Sequence, residues 1–95
     1  MKKKRTLNLY LVSCEFNEDD EYEDFADAID DYPAWRHVFG EQWFVCSEDS
    51  AEEIYDNLTQ YIFEGDFIFV CEVTGNYASY LPEETVEWME ENLED

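Results

Sequence analysis

Charge is distributed very unevenly along this chain. Its 26 acidic side chains all follow residue 5, and the same stretch carries one basic side chain, Arg36. The other four basic residues are adjacent at positions 2–5, and the net charge is −21. A small soluble domain usually has a net charge of about 2–8 in magnitude. Self-repulsion on this scale opposes compaction, so the fold needs a core strong enough to outweigh it.

The composition predicts an ordered core in spite of this charge. Hydrophobic residues make up 45% of the chain and aromatic residues 18%, with 3 Gly and 2 Pro. Disordered acidic chains are poor in apolar residues and therefore cannot offset the entropy of ordering. We predict one domain over residues 1–95, in which residues 1–5 form a short basic N-terminal segment.

Three widely spaced cysteines, Cys14, Cys46 and Cys71, each lie in an apolar, strand-like run. We expect buried, reduced thiols in a cytoplasmic protein, because a zinc site needs a closer cluster. The apolar run at 7–12 is short and contains Asn8, which argues against a signal peptide. No run approaches the ~20 apolar residues of a membrane span, so no membrane partner is expected.

Four runs rich in Val, Ile, Phe, Tyr and Trp predict strands. Gly40-Glu41 separates the second from the third and predicts a hairpin turn in which Gly takes positive φ. The predicted strands cover residues 5–14, 35–39, 42–47 and 67–73.

Three further segments have helical periodicity. The first is predicted to end at Tyr32, which precedes a proline, and the second to begin with a capping box at 50–53. The third is predicted over 83–92, with Pro82 in its first turn. The apolar stripes consist of Tyr22, Phe25, Ala26 and Ile29 in the first helix, Ala51, Ile54, Tyr55, Leu58 and Ile62 in the second, and Val86, Trp88 and Met89 in the third.

The element order β-α-β-β-α-β-α predicts an α+β, ferredoxin-like fold with an extra C-terminal helix. Such a fold places two helices on one face of a four-stranded antiparallel sheet. The first and last strands carry apolar side chains on both faces, so the second face must also be covered. The C-terminal helix or a second copy of the chain could cover it, and we predict a homodimer.

Several segments resemble SinR-like proteins, stand-alone relatives of the small CRISPR adaptation subunit. The first strand NLYLVSCEF, the run Ala-Trp-Arg-His at 34–37, Trp-Phe-Val at 43–45 and Ser-Ala-Glu-Glu-Ile at 50–54 follow that family's order. The resemblance extends over about residues 8–93. It implies a ferredoxin-like dimer.

The same resemblance implies an alternative enzymatic function. Nuclease members of that family hold a divalent metal with an Asp that follows the first strand, and the matching residue here is Glu15. The alternative is a metal-dependent endoribonuclease in which Glu15 residues pair across a dimer and bind Mg²⁺ weakly. Few basic residues are present to hold a polyanion such as RNA, so our main prediction includes no catalytic residue, metal or cofactor.

Three other polar features have structural interpretations. The acidic loop at 15–21 lacks the Gly and the ligand spacing of an EF-hand loop, which favours a solvated loop. His37 is the single histidine and has no nearby nucleophile in the sequence, so we expect a structural role. Arg36 is expected to pair with a carboxylate.

The functional prediction rests on the carboxylates along the predicted helices. Acidic residues three or four positions apart lie ~5–6 Å from each other on a helix, and no Lys relieves their repulsion. We predict a non-enzymatic nucleic-acid mimic that binds no nucleic acid itself. It would come from a phage or mobile element and block the basic nucleic-acid-binding site of a host DNA-handling or defence protein. A regulatory family member adapted to high salt is the other alternative. The predicted partner-binding residues are Glu18, Asp19, Asp20, Glu23, Asp24, Asp27, Asp30, Asp31, Glu52, Glu53 and Asp56.

Overall fold

The computed structural model describes residues 7–17 and 22–93. In these ranges the elements follow the predicted order, and a single 3₁₀ turn at Thr59–Tyr61 extends the second helix. The elements are β1 (Asn8–Glu15), α1 (Glu23–Asp30), β2 (Ala34–Phe39), β3 (Gln42–Ser47), α2 (Ala51–Leu58), β4 (Phe67–Val73) and α3 (Glu83–Glu91).

The four strands form one antiparallel sheet in the order β2-β3-β1-β4. β1 is central, and its Leu11 lies opposite Phe44 of β3 and Cys71 of β4. β2 and β3 form the predicted hairpin, in which Gly40 has φ +51°. This strand order and the two helical connections confirm the ferredoxin-like fold, with α3 as an additional C-terminal helix.

One face of the sheet, called the first face here, packs against α1 and α2. The buried side chains of this layer come from β1, β3 and both helices. Ala28 of α1 is buried there and Ala26 is exposed, so the prediction for Ala26 was wrong. Tyr55 of α2 was also predicted to be buried and is exposed, because the stripe facing the sheet is narrower than the sequence pattern. The buried set is Tyr10, Val12, Cys14, Phe25, Ala28, Ile29, Val45, Ile54 and Leu58.

The opposite, second face packs against α3. Leu9, Phe44 and Cys46 form a smaller buried cluster with Met89, and the Phe44 and Trp88 rings stack with centroids 6.3 Å apart. α3 therefore covers part of the second face. The sequence had left two candidates for this cover, the C-terminal helix and a second copy of the chain.

Within residues 7–17 and 22–93, the remainder of the second face is exposed at the β4 edge. Phe67 and Phe69 are 68% and 64% exposed and lie opposite Glu15 and Ser13 of β1. Two exposed aromatic side chains on neighbouring rows of an edge strand form an apolar patch that the described residues do not cover.

Candidate acidic interface

The predicted partner-binding residues on α1 and α2 all lie at the surface. α1 turns Phe25, Ala28 and Ile29 toward the sheet, so the positions between them point outward. α2 does the same with Ile54 and Leu58. The exposed acidic residues are Glu23, Asp24, Asp27, Asp30, Asp31, Glu52, Glu53 and Asp56.

The tertiary structure brings these residues onto a single surface, the α1/α2 acidic face. Both helices lie on the first face of the sheet and share its core. The Asn57 side-chain amide of α2 donates a hydrogen bond of 2.9 Å to the Tyr32 hydroxyl just after α1. Glu18, Asp19 and Asp20 were also predicted to bind the partner, and they lie outside the described residues.

A second set of carboxylates lies on the opposite side of the sheet. α3 covers part of the second face, and all its acidic residues are exposed. This surface is called the α3 acidic face, and its residues are Glu83, Glu84, Glu87, Glu90 and Glu91. The protein thus presents two acidic surfaces that point in different directions.

Some carboxylates already have partners within the chain. Glu53 completes the predicted capping box: its Oε1 accepts the Ser50 N–H at 2.8 Å, and its own N–H donates to Ser50 Oγ at 3.1 Å. On α3, Glu84 lies 3.9 Å from Arg36, as the sequence predicted for that cation, and Glu90 accepts the Tyr77 hydroxyl at 3.1 Å. These contacts orient individual acids and leave their charge on the surface.

Asp66 is an acidic residue whose structural role sequence reasoning missed. Its carboxylate accepts the backbone N–H groups of Asn17 and Phe63, each at 2.7 Å, and the Tyr22 hydroxyl. Partial burial raises the pKa of Asp66, but these three hydrogen bonds outweigh it and lower the pKa below its ordinary value. Gly65, next to Asp66, is the residue in the sequence that indicates this turn. In the structure its φ is +95°, and the absence of a Cβ leaves room for the Asn17 side chain.

The acidic environment also affects neutral groups. Burial, followed by the negative charges of Glu41 and Asp66, raises the pKa of the Cys14 thiol to about 12. The pKa of Tyr77 is raised by desolvation and by its hydrogen bond to Glu90. Each shift favours the uncharged form, as expected where another negative charge is unfavourable.

The candidates for other chemistry are separated in the fold. Glu15 lies at the exposed end of β1. His37 is exposed, and its Nε2 lies 2.6 Å from the carbonyl oxygen of Gly40, so it helps to close the hairpin turn. Among the described residues, no group of three His, Cys, Asp or Glu side chains is placed to hold a metal ion.

Comparison with known protein families, curated proteins and solved structures finds no match to this chain. The resemblance to SinR-like proteins therefore stays a prediction. In the part of the chain that the structure describes, no helix is long and apolar enough to cross a membrane.

Proposed function

We propose that this protein is a non-enzymatic acidic binding protein that occupies the basic nucleic-acid-binding site of another protein. The α1/α2 acidic face carries the proposal, because eight exposed carboxylates lie on two neighbouring helices of one surface. The fold supports the proposal because both helices pack against one shared core.

The carboxylate spacing is close to that of a nucleic acid. α1 has 8 residues and is therefore ~12 Å long at ~1.5 Å per residue. With Asp31 it carries five carboxylates, or one per ~2–3 Å, and B-DNA has one phosphate per ~1.7 Å of its axis. A groove built to neutralise phosphates would meet a comparable charge density on this helix.

The electrostatic cost of the surface favours a binding role. Like charges three or four residues apart destabilise a helix by ~0.2–0.5 kcal/mol per pair, and the sequence places no Lys or Arg on α1 or α2 to offset this. A basic partner would neutralise the repulsion on binding. Such association is fast and weakens steeply with salt. A phage or mobile-element origin, with a defence protein as the target, is part of the proposal and rests on this charge and on the sequence resemblance.

Two triple variants of equal charge test the proposal. Asp24, Asp27 and Asp30 are changed to Asn in one, and Glu83, Glu87 and Glu91 to Gln in the other, so both have a net charge of −18, which is −21 + 3. The immobilised proteins capture binders from a lysate of the host cell at low salt. Elution with duplex DNA then identifies binders that use a nucleic-acid site.

We expect the wild-type protein to retain a DNA-binding protein that duplex DNA and high salt both release. The α1 variant should retain much less of it than the α3 variant. Equal loss in the two variants would show that net charge alone matters, and absence of any DNA-releasable binder would contradict the mimic. In the latter case, RNA cleavage with Mg²⁺ that is lost in Glu15→Ala would support the ribonuclease alternative.

The homodimer expected from the sequence also stays a proposal. The open apolar patch of Phe67 and Phe69 at the β4 edge supports it, because a second copy could cover these exposed rings. Light scattering of the purified protein at moderate salt measures the mass. Phe67→Ser with Phe69→Ser should yield monomers if this patch forms the interface.

A further inference from the structure

An apolar groove lies on the second face, beside α3. Its volume is about 410 Å³, within the range of ~300–1,000 Å³ typical of sites that enclose a ligand or an anchoring side chain. The sheet supplies the floor through Leu11 and Phe44, and Met89 of α3 closes one side. The segment between β4 and α3 forms the other wall with Tyr77, Ala78 and Tyr80.

The mouth of the groove is aromatic and held in place. Tyr77 donates its hydrogen bond to Glu90, which ties the wall to α3. Tyr80 is fully exposed and Phe39, at the end of β2, is 59% exposed. Large exposed rings beside a concave apolar floor are typical of binding hot spots, in which an anchor side chain is fully desolvated.

The negative charges near the groove favour a positively charged binding partner. α3 borders the groove through Met89, its acidic residues are all exposed, and its Glu90 contacts Tyr77 of the groove wall. Arg36, the one basic residue after residue 5, already contacts Glu84 and Thr85. A second copy of the chain would bring further negative charge to this flank, whereas a Lys- or Arg-rich segment would be attracted.

We propose that the groove binds a large apolar side chain carried by a basic segment of another protein, with the segment's cations against the α3 acidic face. The groove and the α1/α2 acidic face lie on opposite sides of the sheet. This second docking site therefore does not rest on the nucleic-acid mimicry, and both surfaces could be occupied together.

Two synthetic peptides test the inference. One is a short Lys/Arg-rich peptide with a single central Leu, and the other has Ala at that position. Because burial of a Leu side chain in an apolar site is favourable, the Leu peptide should bind at least about tenfold more tightly. The measured quantity is the ratio of the two dissociation constants, from fluorescence anisotropy at fixed salt.

Matched variants locate the site. Ala78→Trp should fill the groove and bring the ratio close to one. Ala26→Trp, an equally large addition on the exposed side of α1, should leave the ratio high. The α3 triple variant should weaken both peptides more than the α1 triple variant of equal net charge.

Methionine methyl NMR reports occupancy directly. The chain has 2 Met, and Met89 is buried at the groove. Its methyl signal should shift with the Leu peptide and shift much less with the Ala peptide.

Equal affinity of the two peptides, or a Met89 signal that responds to both alike, would overturn the inference and leave the mimicry untouched. A dimer that Ala78→Trp converts to monomers would also overturn it, because a second copy would then fill the groove. Failure of both peptides to bind at low salt contradicts it as well. Loss of DNA-releasable capture by the α1 triple variant depends on neither peptide, so the two proposals can fail separately.

Discussion

The Nε of Arg36 donates a hydrogen bond of 3.1 Å to the Thr85 hydroxyl and thereby joins edge strand β2 to α3. Thr85 is 2% exposed, so its hydroxyl would otherwise be buried without this donor. A buried hydroxyl without a partner costs about 1–3 kcal/mol. The single basic side chain after residue 5 thus helps to hold α3 on the second face.

Arg36→Lys should lower the free energy of unfolding by about 1 kcal/mol, because Lys keeps the charge and has no donor at the Nε position. Urea denaturation measures the change. The control is Glu84→Gln, which removes only the exposed ion pair and should cost about 0.5 kcal/mol or less. Equal effects of the two substitutions would show that the hydrogen bond to Thr85 does not hold α3.

Asp66→Asn should destabilise the protein in a pH-dependent way. Hydrogen bonds lower the pKa of Asp66 in the folded state below its ordinary value of 3.8. Its contribution is therefore fully present above that value and is lost as the pH falls through the lower, folded-state pKa.

The stability difference between wild type and Asp66→Asn should thus be largest near neutral pH and shrink in strong acid. Urea unfolding over a pH series measures it. Asp56→Asn, on the exposed side of α2, is the control and should show a small difference at every pH. A difference for Asp66→Asn that does not change with pH would contradict the assignment.

Added salt should raise the melting temperature. The net charge of −21 produces repulsion that extends over ~30 Å at 0.01 M salt and ~10 Å at 0.1 M. Thermal melts followed by circular dichroism across this range measure the effect. The two triple variants carry less charge and should gain less from salt; a flat or falling melting temperature in the wild type would show that repulsion does not limit stability.

The three free thiols should differ in reactivity. Cys14 and Cys46 are buried, and the pKa of Cys14 is about 12, so little thiolate forms at neutral pH. Cys71 is partly exposed on the second face. A disulfide reagent should therefore modify Cys71 first in native protein and all three thiols in urea. Rapid labelling that persists in Cys71→Ser would contradict this order.

Local sequence signals predicted much of the fold. The Phe67–Val73 strand, the Gly40 hairpin and the Ser50 capping box appear where expected, because each depends on residues within a few positions. Errors arose where a helix face was inferred from spacing alone. Ala26 and Ala28 of α1 are both compatible with an apolar stripe, and only packing against the sheet selects Ala28.

The candidate sites show the same difference between local patterns, which the sequence reveals, and contacts between distant segments, which it does not. The exposed acids of α1 and α2 follow from amphipathic periodicity, and sequence reasoning identified them. The groove at Tyr77 and Tyr80 was missed, because its floor comes from strands far apart in the chain and its wall from a segment without periodicity. The role of Asp66 was missed for the same reason, since its carboxylate joins Asn17 to the turn before β4.

The sequence by itself determined the charge, the element order and the outward direction of the carboxylates, since these depend on composition and on short-range periodicity. The tertiary structure decided that α1 and α2 combine their acids on one side of the sheet. It also decided that α3 covers part of the other side, where the described part of the chain leaves a groove and an aromatic edge exposed. The physical reason is that burial between distant segments selects one arrangement from several that the local pattern permits equally.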